Sequence, residues 1–281
     1  MKRTRLRNIM TGLTGLILVL ALLMIPGRAS LLGAGREMET AVDQRIAIII
    51  DDFGNNMAGS DEMLQLEVPI TVAVMPFLPT TAEDAAKAHR QGYDVLVHLP
   101  MEPKQGKPEW LGPGAIMASM SDAEVRAKVE EAIDNVPHAV GINNHMGSKI
   151  TGDERVMGII LDVCRDRGLF YVDSKTNYRS VVPKLCREKG LPLLENAIFL
   201  DDVYNTGHVT VQLQKAQKQA REQGTCITIG HVGIQGKITS AALKAAIPGL
   251  KAEGVRFIKI SELAQEQSSP GITPVPGFTL P

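Results

Sequence analysis

Acidic residues and histidines recur at the ends of short apolar, β-branched runs, where they can gather on one rim of a fold. Asp51 and Asp52 end one such run, His98 another, and Asn143, Asn144 and His145 a third; Asp173, the pair Asp201 and Asp202, and His231 follow later ones. One carboxylate with two neutral imidazoles makes a mixed oxygen and nitrogen set suited to Zn²⁺ or another first-row divalent metal, with positions left for water and substrate. Such an ion brings the pKa of its water towards neutrality and polarises a carbonyl oxygen, as amide or ester hydrolysis requires. Adjacent residues of a continuing strand face opposite ways. Asp51 and Asp52 are therefore expected to divide their roles, one ligating metal and the other acting as base or orienter. His231 is placed to give a proton to a leaving nitrogen or oxygen. Taken singly, each carboxylate reads equally well as a helix cap and each histidine as an ordinary hydrogen-bonded side chain; their convergence on one rim is what favours a site. The other histidines, His89, His138 and His208, fall on a helix, in a turn and near a helix start, and read as surface or capping residues.

Strands and helices must alternate to bring these residues together. Arg45 to Ile50 is apolar on both faces, the mark of a buried parallel strand. Further strands are expected over residues 71–74, 94–97, 139–142, 169–172, 197–200, 226–229 and 256–258, with helices over 81–90, 121–135, 153–167, 209–222 and 240–252. Ser121 with Glu124 fits a capping box, and Gly92, Gly168 and Gly224 stand just past helix ends where a left-handed residue is wanted. This alternation predicts parallel β/α architecture, whose active sites form at the carboxyl ends of the strands. The loop from Leu99 to Met120 is long and carries Pro100, Pro103, Pro108, Pro113 and Trp110, so it reads as a binding rim or as a passive excursion.

Of 281 residues, 44% are hydrophobic and 22% charged, and 30 Lys and Arg balance 31 Asp and Glu to a net charge of −1. That balance excludes a disordered chain and a basic nucleic-acid binder. Cys164, Cys186 and Cys226 form no CxxC pair and imply no disulfide framework. Lys2, Arg3, Arg5 and Arg7 precede an uncharged apolar run from Ile9 to Ile25, so residues 1–29 read as a signal peptide or a membrane anchor, either of which puts the remainder outside the cytoplasm. Residues 30–43 are expected to be a linker, 44–264 one folded domain smaller than an eight-unit barrel, and 265–281 a flexible tail.

The segments IAIIIDDFGNN (Ile46 to Asn56), VAVMPF (Val72 to Phe77), VLVHLPMEP (Val95 to Pro103), GINNHMGS (Gly141 to Ser148), YVDSKT (Tyr171 to Thr176), FLDD (Phe199 to Asp202) and IGHV (Ile229 to Val232) resemble the divergent polysaccharide deacetylase family, which belongs with the NodB-like carbohydrate esterases. The resemblance implies a distorted (β/α)7 barrel, a divalent metal with zinc expected, and an acetylated glycan as substrate. It implies Asp51 as base, Asp52 as metal ligand and His231 as the acid that assists the leaving group. Those esterases carry two ligating histidines on one H-x-x-x-H motif, whereas GINNHMGS supplies only His145, so His98 from another strand has to complete the set. Asn144, Asp173, Asp202 and Trp110 are the expected substrate contacts. The favoured function is a metal-dependent hydrolase that deacetylates an extracytoplasmic polysaccharide or cell-wall glycan. The alternatives are a non-catalytic metal- and glycan-binding envelope protein and a glycosidase using Asp173 and Asp202.

Overall fold

Ile46 to Ile50 have no exposed surface in the structure, a computed structural model that describes residues 43–268. The elements run β1 (Gln44–Phe53), α1 (Ser60–Met63), β2 (Thr71–Val74), α2 (Thr81–Arg90), β3 (Asp94–Met101), α3 (Asp122–Asn135), β4 (Ala139–Met146), α4 (Glu154–Asp166), β5 (Phe170–Asp173), α5 (Val182–Lys189), β6 (Leu194–Glu195), β7 (Ile198–Phe199), α6 (Thr206–Gln223), β8 (Thr225–His231), α7 (Gly236–Ala252), β9 (Val255–Ile258) and α8 (Ile260–Ser268). All the strand pairs are parallel. β1 is the hub. One of its edges pairs with β8, and the other is shared, with β9 along Gln44 to Ala47 and β2 beyond Ile49. The segment from Leu194 to Leu200 acts as one interrupted strand: its first part pairs with β5, and the backbone N–H groups of Ala197 and Leu200 donate to Ile227 and Ile229 of β8. Counting it once, the ring is the expected distorted (β/α)7 barrel, with β9 outside it.

Two apolar layers follow from strand alternation. Ile48, Ile50, Val72, Val74, Val95, Val97 and Tyr171 face outward into a core shared with the helices. Ala47, Ile49, Ala73, Leu96, Val172 and Ile229 face inward and pack with Ile260 and Leu263 of α8. Ser121 and Glu124 form the expected capping box at α3. Gly92, Gly168 and Gly224 take φ values of 79°, 68° and 82° at their helix ends. All three cysteines are free and buried.

Two expectations are corrected here. The sequence reading assigns no element between Asp173 and Ala197, yet α5 and β6 lie there, too short to show a clear period. The flexible tail expected over 265–281 does not hold for its first residues, because α8 runs to Ser268: Arg45 pairs with Glu266 at 2.6 Å, and Gln267 accepts from the Leu193 backbone N–H at 2.8 Å. The signal or anchor segment, the linker before Asp43 and the remainder of the tail lie outside the described residues. Among the described residues, no helix is long and apolar enough to cross a membrane.

Gly236 starts α7 against the loop that follows β1, where a Cβ would stand 2.1 Å from the Ala58 carbonyl oxygen. Gly236→Ala is expected to cost about 1–3 kcal/mol, the usual penalty of overpacking, read as a lowered denaturant midpoint with an unchanged slope.

Candidate metal centre

At its carboxyl end β1 stops behaving as a regular strand. Asp52 takes φ 72°, and the register with β2 shifts between Ile50 and Phe53. Aspartate tolerates this left-handed conformation better than most residues. The expectation that Asp51 and Asp52 face opposite ways fails for this reason. Both carboxylates turn to His98, Asp51 Oδ2 standing 3.7 Å and Asp52 Oδ1 3.3 Å from its Nε2. His98 and His145 come from the neighbouring strands β3 and β4, whose register pairs His98 with Asn143 and Pro100 with His145.

The hydrogen bonds around these rings decide where their protons lie. Asn143 Nδ2 donates to Asp51 Oδ1 at 2.8 Å, so the amide oxygen is left facing His98 Nδ1 at 2.9 Å. A carbonyl oxygen only accepts, so His98 Nδ1 carries a hydrogen, and in the neutral ring it is Nε2 that keeps the lone pair. His145 Nε2 meets the Trp110 carbonyl oxygen at 2.9 Å, which by the same logic leaves a lone pair on Nδ1. Those two nitrogens lie 3.1 Å apart, within hydrogen-bonding distance of each other. Asp52 Oδ1 is 3.1 Å from His145 Nδ1, yet it is buried without a properly aligned hydrogen bond. Donor atoms of Asp52, His98 and His145 all lie within 4.8 Å of one another. Three electron-rich atoms facing one point, one of them an orphaned buried carboxylate oxygen, fit a divalent cation. The partners on the far ring nitrogens are the kind that orient metal-binding histidines.

Electrostatics follow the same pattern. Burial opposes ionisation of Asp52, but hydrogen bonds and charge from His145 and His98, when those rings carry a proton towards it, outweigh burial and hold the carboxyl well below the usual range; a bound cation would supply the same positive charge. Burial pushes Asp51 up, against the pull of His98, His231 and the Asn143 hydrogen bond. Across the β1–β8 pair, Asp51 stands in register with His231. His231 Nδ1 bonds Asp201 Oδ1 at 2.8 Å, while Asp201 Oδ2 accepts from the His231 backbone N–H and the Thr239 hydroxyl. Burial works against a charge on His231, but the hydrogen bond and charge of Asp201, with Asp51 and Asp52 beyond, carry its pKa up to about 9. The ring is thus held as an imidazolium with Nδ1–H committed to Asp201, leaving Nε2–H as the proton to give.

Asp51, Asp52, His98, His145 and His231 are therefore brought together. Trp110 joins them through its backbone, and its side chain is 59% exposed. Asn144 and Asp173 lie elsewhere, because strand alternation turns them to the outer layer, and Asp202 lies in the exposed bend after β7. Both ends of the Asn144 amide are used within the framework, accepting from the Tyr171 hydroxyl and the Ser174 N–H and donating to the Met146 carbonyl and Thr176. Asp173 is buried and accepts from the Lys175 N–H; Asp202 is exposed and pairs with His208 at 2.5 Å. His89 and His138 form an exposed stacked pair, centroids 3.9 Å apart. Asn143 and Asp201 belong to the site; the sequence places them at strand ends but favours their neighbours Asn144 and Asp202. Their inward parity is set by the closed sheet, which the equally apolar faces of these strands do not reveal.

Residues 48–264 match the profile of the divergent polysaccharide deacetylase family. The chain belongs to that family. It is 37% identical over 187 residues to the uncharacterized protein YibQ of Escherichia coli (strain K12), covering 66% of this chain and 58% of that one, so it spans little more than half of that relative's length. An uncharacterized protein of Haemophilus influenzae is 35% identical over 219 residues, 78% of this chain and 76% of that one. Among solved structures, the uncharacterized protein ATU2773 from Agrobacterium tumefaciens C58 shares the fold with a TM-score of 0.73 at 19% identity, over 81% of this chain and 92% of that one.

Because the folded-state pKa of His231 is raised, its contribution to stability is complete below the ordinary imidazole pKa and is lost as pH rises through about 9. An NMR titration of the His231 ring should show its midpoint near 9, and Asp201→Asn should move it down by more than a unit. An unmoved midpoint would show that Asp201 does not hold the charge.

Proposed function

We propose that this chain is a zinc-dependent hydrolase that removes acetyl groups from an extracytoplasmic glycan. The observation that carries this reading is the meeting of three potential metal donor atoms, on Asp52, His98 and His145, beside the Asp51 carboxylate and the His231 imidazolium. Asp52, His98 and His145 would hold the ion. When bound, it supplies a Lewis acid for the acyl oxygen and makes nearby water easier to deprotonate. Asp51, buried and aimed by Asn143, takes the proton of the attacking water. Nε2–H of His231 then protonates the leaving nitrogen or oxygen as its bond to the acyl carbon breaks, releasing acetate and the free amine or hydroxyl. Trp110 offers an exposed ring beside the centre, suited to packing against the face of a sugar. The apolar run from Ile9 to Ile25, behind its basic flank, supports a location outside the cytoplasm.

With zinc supplied, Asp51→Asn is expected to keep the metal and lose about 100-fold to 10,000-fold in turnover, the usual contribution of a placed base. Asp52→Asn should instead lose metal, with activity recovering in part as zinc is raised. Acetate release from N- and O-acetylated glycans is the assay. A wild-type chain that binds zinc and glycan and releases no acetate from any of them would overturn the hydrolase reading in favour of a binding protein.

Trp110→Ala leaves the backbone carbonyl on His145 in place. It should raise KM with zinc content and kcat little changed; an unaltered KM would assign the loop a passive role.

A further inference from the structure

Between the free carboxylate and one metal donor lies Asn143, fully buried, its amide spent on two partners, Asp51 Oδ1 at 2.8 Å and His98 Nδ1 at 2.9 Å. We propose that Asn143 is a positioning residue whose single amide sets the tautomer of His98 and keeps Asp51 out of the metal's ligand set. The role given to Asp51 rests on the hydrolase reading; the tautomer of His98 does not.

The need for such a residue is visible in the distances. Asp51 Oδ2 and Asp52 Oδ1 lie 3.7 Å and 3.3 Å from the same His98 nitrogen, so two carboxylates stand close enough to compete for one cation. Engaging Asp51 Oδ1 with a donor on the far side holds that oxygen off the centre and leaves Oδ2 to take a proton. The same amide's oxygen must also accept from His98 Nδ1–H, since only then does Nε2 present a lone pair to the centre. A neutral amide does both at once. A carboxylate at this position accepts but has no NH₂ to give, and an apolar side chain does neither.

The test uses the full-length chain with ¹⁵N-labelled histidine, loaded with ¹¹³Cd as a spin-active probe, together with zinc affinity from chelator competition. In the unsubstituted chain, cadmium should couple to Nε2 of His98 and to Nδ1 of His145, with a hydrogen remaining on His98 Nδ1. Asn143→Leu should weaken zinc binding by about 10-fold to 100-fold and scramble the His98 tautomer. Asn143→Asp restores the acceptor alone, so it should recover most of the zinc affinity and the Nδ1–H signal while turnover stays low. Coupling through His98 Nδ1, or an Asn143→Leu chain that binds zinc as tightly as its parent, overturns the proposal. If Asn143→Leu does not fold, the coupling pattern of the unsubstituted chain and the affinity of Asn143→Asp still decide it. The two readings fail separately: correct coupling without acetate release removes the hydrolase and keeps the hold on His98, whereas wrong coupling removes the hold whatever the turnover.

Discussion

Asp52 Oδ1 is buried 3.1 Å and 3.3 Å from two imidazole nitrogens whose neighbours on the far side fix their hydrogens facing away from it. A buried carboxylate oxygen without a partner costs several kcal/mol. The arrangement is therefore tolerable only with a positive charge at its centre, whether a proton shared among the three groups or a cation in its place. Much of the site's construction serves to hold those lone pairs on one point. The left-handed turn at Asp52 brings in the oxygen, Asn143 aims one ring and the Trp110 carbonyl aims the other.

The barrel makes this affordable by separating its interior into two zones. Below, Ala47, Ile49, Leu96, Val172 and Ile229 fill the ring, with Ile260 and Leu263 of α8 packed among them. Above, the same inward-facing positions carry Asp51, His98, Asn143 and His231. Parallel pairing sets them side by side, His98 against Asn143 and Asp51 against His231, on strands that pack too tightly to drift. A geometry held by strands in this way is more exact than one built on loops.

The two histidines come from two strands, so the candidate metal set depends on the β3–β4 register. It depends also on the long loop after β3, because the Trp110 carbonyl is what turns His145. A loop with an exposed aromatic ring on one side and a hold on His145 on the other links whatever the ring touches to the centre. Asp201 plays the matching part across the ring, and its bonds to His231 and to Thr239 of α7 tie that imidazole to a helix as well as a strand.

Much was legible before folding. The parallel barrel follows from apolar runs alternating with capped helices, and the capping box at Ser121 and the glycines past α2, α4 and α6 needed only local chemistry. Asp51, Asp52, His98, His145 and His231 could be named because reactive side chains at the ends of buried strands have few other uses. The choice between neighbours could not be made that way. Asn143 rather than Asn144, and Asp201 rather than Asp202, face the site, and Asp173 turns outward with Tyr171. In strands buried on both faces, each parity is equally apolar, so the sequence has no hydrophilic side to mark the outside. Only closure of the sheet, with helices against one face and α8 against the other, decides which residues point in. The break at Asp52 was hidden for a related reason, since a residue entering the left-handed region does so to fit a neighbouring strand, and that neighbour is fixed by the tertiary structure alone.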